Sequence, residues 1–135
     1  MFDKVLNIGS WPVTAIRGRG DSQWLSYLWT PPVPDYPSTH TVLGAATVTV
    51  MARLFGTDLV SFSRTSGAPY PGITHRFWSF SEAARENGAP RILAGIHFRT
   101  AVDEGYVQGA RIGEWILEHT AGLWPIRQRL QLLLW

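Results

Sequence analysis

Two short segments carry residue types that could do chemistry. The first is Pro37-Ser38-Thr39-His40, set between a proline-rich approach and an apolar run that reads as a helix. A helix start offers unpaired backbone N–H groups and the positive end of the helix dipole, which together favour an oxyanion. Ser38 could donate a hydroxyl hydrogen bond there, and His40 could supply or remove a proton near neutral pH. The plainer reading is that Ser38 only caps the helix and His40 is a first-turn surface residue. The second segment is Arg91-Ile-Leu-Ala-Gly-Ile-His97, followed by Asp103. A guanidinium can fork two hydrogen bonds to a tetrahedral oxyanion. His97 could attack phosphorus or coordinate a metal oxide, with Asp103 or a backbone carbonyl orienting its second nitrogen. Six residues do not return to one helical face, so Arg91 and His97 meet only if the chain bends near Gly95 or if they flank one point.

The elements that must hold these residues follow from pattern and punctuation. Residues 17–37 are rich in glycine and proline and read as a long ordered loop. A helix over 39–55 follows, with Ser38 as N-cap and Gly56 as the residue after its end. Residues 57–77 read as irregular. Ser79-Phe80-Ser81-Glu82 has the form of a capping box and opens a short helix through Asn87. Gly88 and Pro90 are expected to break it, and a second piece runs from about Pro90 to Phe98. The clearest helix covers 101–118. Its Gly105, Gly109 and Gly113 leave one face almost without side chains, suited to close approach by a neighbouring helix. Nothing alternates like a sheet, so the class is all-α.

Composition limits the rest. The chain has 135 residues, which suits one domain. A net charge of +2 gives no general attraction for nucleic acid. Eleven of the twelve basic residues are arginine, Lys4 being the exception, and arginine suits planar recognition of oxyanions. There is no cysteine, which excludes disulfides, thiolate zinc sites and thiol nucleophiles. The N-terminus lacks signal-peptide form, and the run from Val42 to Ala52 is too short to span a bilayer. A soluble, cytoplasmic protein without a membrane span is the default expectation. Arg19-Gly20-Asp21 reads as a turn, and His75 and His119 have no partner at metal-ligand spacing.

Taken together, Pro-Ser-x-His and, about fifty residues on, Arg-x5-His resemble the vanadium-dependent haloperoxidases. These share a superfamily with the type-2 phosphatidic acid phosphatases and the bacterial class A acid phosphatases. The flanking text, "WPVTAIRGRGD", "PDYPSTHTVLGAA" and "RILAGIHFRTAVDEGYVQGARIG", is similar to the bacterial haloperoxidase-type branch. The likeness spans residues 4 to about 117. It implies a helical bundle of that type, with residues 1–135 as a single, partial domain truncated at the N-terminal side.

By this resemblance, Lys4 contacts an oxyanion oxygen and polarises bound peroxide. Ser38 and the Thr39 amide line the pocket, His40 is the acid–base histidine, and Arg91 neutralises oxyanion charge. His97 is the vanadium ligand, or the nucleophile of a phosphohistidine in a phosphatase. The implied activity is an oxidoreductase that binds vanadate, or phosphate, and oxidises halide with hydrogen peroxide. Three positions depart from the family motifs: Trp11 stands where an arginine is expected, Thr39 where a glycine is, and Pro90 where a serine is. Losing one guanidinium from a buried oxyanion site costs on the order of 2–5 kcal/mol of binding, so weakened catalysis is expected. Two alternatives remain: an acid phosphatase acting through a phosphohistidine, and a non-catalytic helical assembly protein. In the second, the glycine face and the Trp-rich tail bury against another copy as a homo-oligomer. A divalent-metal hydrolase using His40, His97 and Asp103 fits less well, because Arg91 would repel a cation.

Overall fold

The computed structural model describes residues 25–120. Three helices carry the architecture: α1 (Thr39–Phe55), α2 (Phe80–Leu93) and α3 (Arg99–His119). A two-stranded antiparallel hairpin, β1 (Phe62–Thr65) and β2 (Thr74–Phe77), lies between α1 and α2. The helical-bundle expectation holds. Lys4, Trp11 and the Trp-rich tail lie outside the described residues.

The seam between α1 and α3 sets the geometry of everything else. Gly105, Gly109 and Gly113 are all buried on α3. A β-carbon on Gly109 would stand 2.7 Å from the Ala45 methyl carbon and still nearer the Val42 carbonyl oxygen. One on Gly113 would stand 2.7 Å from Thr49 Cβ. The glycine stripe therefore seats the α1 backbone, through Thr41, Ala45 and Thr49. It is buried within this chain, which corrects the assembly reading in which that face meets another copy.

Helix α1 begins and ends as its sequence predicts. Gly56 takes the left-handed conformation (φ 74°) and its N–H donates to the Arg53 carbonyl, the local geometry that glycine adopts without a Cβ penalty. Arg53, in the last turn, reaches across to Glu114 on α3 at 2.8 Å.

Helix α2 differs from expectation. It runs unbroken through Gly88 and Pro90. Gly88 marks a close approach: a β-carbon there would collide with the Tyr106 ring and the Thr41 methyl group. Pro90 removes one intrahelical donor without ending the helix, because neighbouring packing holds the segment. The N-terminus is tied down twice. Ser79 Oγ accepts from Glu82 N (3.0 Å), and the Asp58 carboxylate accepts from both the amide (2.9 Å) and the hydroxyl (2.6 Å) of Ser81.

The hairpin is a second correction, since 57–77 read as irregular. Its strands are only four residues long and mostly polar and exposed, too short for alternation to register. Tertiary contacts hold it. Phe62 stacks near Phe77 (5.1 Å between centroids) and Phe80 (5.8 Å), and Phe55 meets Phe80 edge-on (5.5 Å). Across the strands, the Thr65 and Thr74 hydroxyls are 2.8 Å apart. Among the described residues, no helix is long and apolar enough to cross a membrane.

Candidate functional site

The start of α1 lies against the starts and ends of the other two helices. The Ser38 amide donates to the Ala101 carbonyl of α3 (2.9 Å). Asn87 Nδ2, one turn before Arg91 on α2, donates to the His40 carbonyl (2.8 Å). These two bonds fix Ser38 and His40 relative to α3 and to Arg91.

Ser38 does not cap the helix with its side chain. It stands at the N-cap position, yet its hydroxyl makes no capping bond. Instead Thr41 Oγ1 donates to the Ser38 carbonyl (2.9 Å), and the first intrahelical bond runs from Val42 N to that same carbonyl (3.0 Å). Ser38 is fully buried, and its Oγ has no hydrogen-bond partner among the described residues. Arg91 Nε is likewise buried and unpartnered. No carboxylate pairs with Arg91 among the described residues. An orphaned buried donor costs about 1–3 kcal/mol, more when charged. Two such donors near a helix N-terminus are suited to an acceptor-rich partner.

The chain does bend near Gly95. Helix α2 ends at Leu93, and Gly95 turns left-handed (φ 72°). The amides of Ile96 (3.0 Å) and His97 (3.2 Å) then both donate to the Arg91 carbonyl. This wrap brings His97 back alongside Arg91, the juxtaposition that a straight helix forbids. His97 is buried, with a side chain only 2% exposed.

The partner of His97 Nδ1 is Asp35, whose Oδ1 lies 2.8 Å away. Asp103 is exposed on α3, so its expected orienting role is a correction. Helix α3 buries Ala101, Val102 and Gly105, and residue 103 falls on the opposite side of that face. Asp35 is a loop residue 62 positions from its partner, a separation that leaves no periodic or spacing signal in the sequence.

Electrostatics place the three basic groups in one neighbourhood. His40 is held below the ordinary histidine value of 6.5, first by burial, then by the Arg91 guanidinium and the His97 imidazole nearby. Burial likewise lowers the Arg91 guanidinium from its usual value. A cation partly stripped of water and facing other cations is stabilised by an anion. The folded chain takes up a proton at His40 less readily than the unfolded chain. Its contribution to stability is therefore full above about 6.5 and is lost as pH falls through the lowered value. A side-chain NMR titration should find His40 titrating below 6.5 in the free protein, and Arg91→Ala should move it back upward. An unchanged value in that variant would separate His40 from Arg91.

Arg91 and His97 lie within electrostatic reach of His40, and Ser38 stands at the start of the helix whose first turn carries His40. Thr39 has its amide in the first turn of α1 and its side chain exposed. Lys4 lies outside the described residues. No group of three or more His, Cys, Asp or Glu side chains converges among the described residues. The donors present, a hydroxyl, a guanidinium and helix N–H groups, suit a tetrahedral oxyanion.

The family described as the VCPO second helical-bundle domain matches residues 8–125. Among solved structures, the chain is similar to a bacterial vanadium-dependent iodoperoxidase, with 36% identity and a TM-score of 0.69. That match covers 79% of this chain and 26% of the other. It is similar to a bacterial vanadium-dependent chloroperoxidase in its apo form (25% identity, TM-score 0.61, covering 78% and 24%). The holo form matches at 25% identity and a TM-score of 0.58, covering 80% and 24%. The chain thus spans about a quarter of the length of these solved relatives. Among curated proteins, none matches it.

Proposed function

This chain belongs to the VCPO second helical-bundle domain family, and on that premise we propose that it carries the oxyanion site of a vanadium haloperoxidase-like protein. It binds vanadate or phosphate and, with vanadate held there, oxidises halide with hydrogen peroxide. The observation that carries this reading is a pair of buried donors without hydrogen-bond partners among the described residues, Ser38 Oγ at the N-terminus of α1 and Arg91 Nε in the last turn of α2.

Each residue then has a task. The Ser38 hydroxyl and the Thr39 amide donate to oxyanion oxygens. Arg91 would neutralise their charge, and His97 would supply Nε2 as the protein ligand. His40, held neutral at pH 7, accepts a proton from an incoming peroxide or returns one to a leaving oxygen. Lys4 is assigned to an oxyanion oxygen by resemblance alone. Bound vanadate supplies Lewis-acid activation of hydrogen peroxide towards halide. Trp11 stands where the motif carries an arginine, so the affinity is expected to be lower than that of a full motif.

The carboxylate behind His97 favours a second chemistry on the same residues. With a phosphoester bound and the pH low enough to protonate His40, Nε2 would form a bond to phosphorus as the ester P–O bond breaks, and the His40 imidazolium would give its proton to the departing alkoxide. Water then hydrolyses the phosphohistidine, giving its proton to His40. Hydrolysis of p-nitrophenyl phosphate, competitively inhibited by vanadate, supports this chemistry, whereas iodide or bromide oxidation dependent on added vanadate supports the first.

Ser38→Ala separates a site residue from a structural one. It removes an orphaned hydroxyl, so unfolding stability should stay level or rise slightly. The same change should weaken vanadate binding about tenfold or more, since hydrogen bonds to charged groups contribute roughly 1.5–3 kcal/mol. Equal affinity in the variant, measured by calorimetry, would remove Ser38 from the site.

A further inference from the structure

The two ring nitrogens of His97 have different surroundings. Nδ1 lies 2.8 Å from Asp35 Oδ1, while Nε2 makes no hydrogen bond among the described residues. The same Oδ1 accepts from the Phe98 amide at 3.3 Å, and Phe98 is the N-cap residue of α3. Asp35 belongs to Pro34-Asp35-Tyr36-Pro37, directly before Ser38. One short segment therefore supplies both a donor at the front of the site and a carboxylate behind its histidine.

A neutral imidazole carries one ring proton, and the hydrogen bond at one nitrogen decides the state of the other. An ionised carboxylate can only accept. Opposite Asp35, Nδ1 must hold the proton, which leaves Nε2 with its lone pair. That lone pair is what a vanadium ligand or a phosphorus nucleophile requires. The enclosure of the ring, 2% exposed, leaves little water to compete for Nδ1.

We infer that Asp35 is the positioning residue of this site: its carboxylate fixes the proton of His97 on Nδ1 and presents the Nε2 lone pair to the oxyanion held by Ser38 and Arg91. What Nε2 meets rests on the oxyanion reading; which nitrogen holds the proton does not. A merely structural Asp35 would tie the loop to the start of α3 through Phe98 N. Its loss would then lower stability and leave the imidazole unchanged.

The test is a long-range proton–nitrogen correlation spectrum of His97 in the full chain without vanadate, for wild type, Asp35→Ala and Asp35→Asn. The wild type should show the Nδ1–H tautomer. Asp35→Ala should shift the population towards Nε2–H. Asp35→Asn, whose amide oxygen can still accept, should restore Nδ1–H. Calorimetric titration with orthovanadate should then find Asp35→Ala weaker by roughly 10–100-fold, the usual effect of removing such an outer partner, and Asp35→Asn much closer to wild type. A wild-type His97 protonated on Nε2 would overturn the inference, and that spectrum decides alone if the alanine variant does not fold. So would an Asp35→Ala protein with an unchanged tautomer and unchanged vanadate affinity. If the tautomer shifts as expected while wild type binds no vanadate, the anchor stands and the oxyanion reading fails.

Discussion

Replacing Arg91 with alanine is expected to weaken vanadate binding by roughly two to three orders of magnitude. Charged partners of a buried anion contribute about 2–5 kcal/mol, and each 1.4 kcal/mol is a factor of ten. Arg91 already bears the cost of the arrangement in the free protein, with a buried Nε that has no partner among the described residues and a guanidinium lowered by burial. Its removal should therefore leave thermal stability level while affinity collapses. Arg91→Lys should recover only part of the loss, because an ammonium is a point charge that cannot reproduce a planar fork. Calorimetry on both variants, with circular dichroism to establish folding, reads the effect. Full affinity in Arg91→Ala would mean that the anion sits elsewhere.

The second large effect is structural and runs against helix propensity. Alanine is favoured over glycine in a helix interior by about 1 kcal/mol, so Gly109→Ala should stabilise α3 if propensity ruled. Yet the new methyl would stand 2.7 Å from Ala45 Cβ and nearer still to the Val42 carbonyl, a backbone atom that cannot swing aside. Overpacking of this kind costs about 1–3 kcal/mol and occasionally more. We expect a net loss of about 2 kcal/mol and a fall in Tm of ~10 °C. Gly67→Ala, in the hairpin loop where nothing lies within 4 Å, should change little. A Gly109→Ala protein as stable as wild type would show that α1 and α3 do not meet as closely as the glycine stripe requires.

The ends of α1 and the use of the glycine face were legible because they depend on local chemistry. Proline just before a helix, glycine after it and glycines four residues apart each have a short-range physical meaning. Arg91 and His97 were legible as a pair, and Gly95 as the bend that joins them. What escaped depended on distant contacts. The hairpin exists because Phe62 and Phe77 find Phe80, not because its strands alternate. Helix α2 survives Pro90 through packing at Gly88 by Thr41 and Tyr106. Asp103 was the expected partner of His97 by proximity in sequence. Asp35 holds the position from the far side of the chain, where only the folded path brings it. Ser38 read first as a cap, and the fold leaves its hydroxyl without that task.

The central claim is that Ser38, Arg91 and His97 bind one tetrahedral oxyanion. Its most direct test is calorimetric titration of the full chain with orthovanadate, repeated with phosphate present and with His97→Ala. The account predicts saturable one-to-one binding that phosphate competes away and that His97→Ala largely loses while remaining folded. A folded wild-type chain giving no saturable heat at millimolar vanadate, or a His97→Ala chain binding as tightly as wild type, would contradict it.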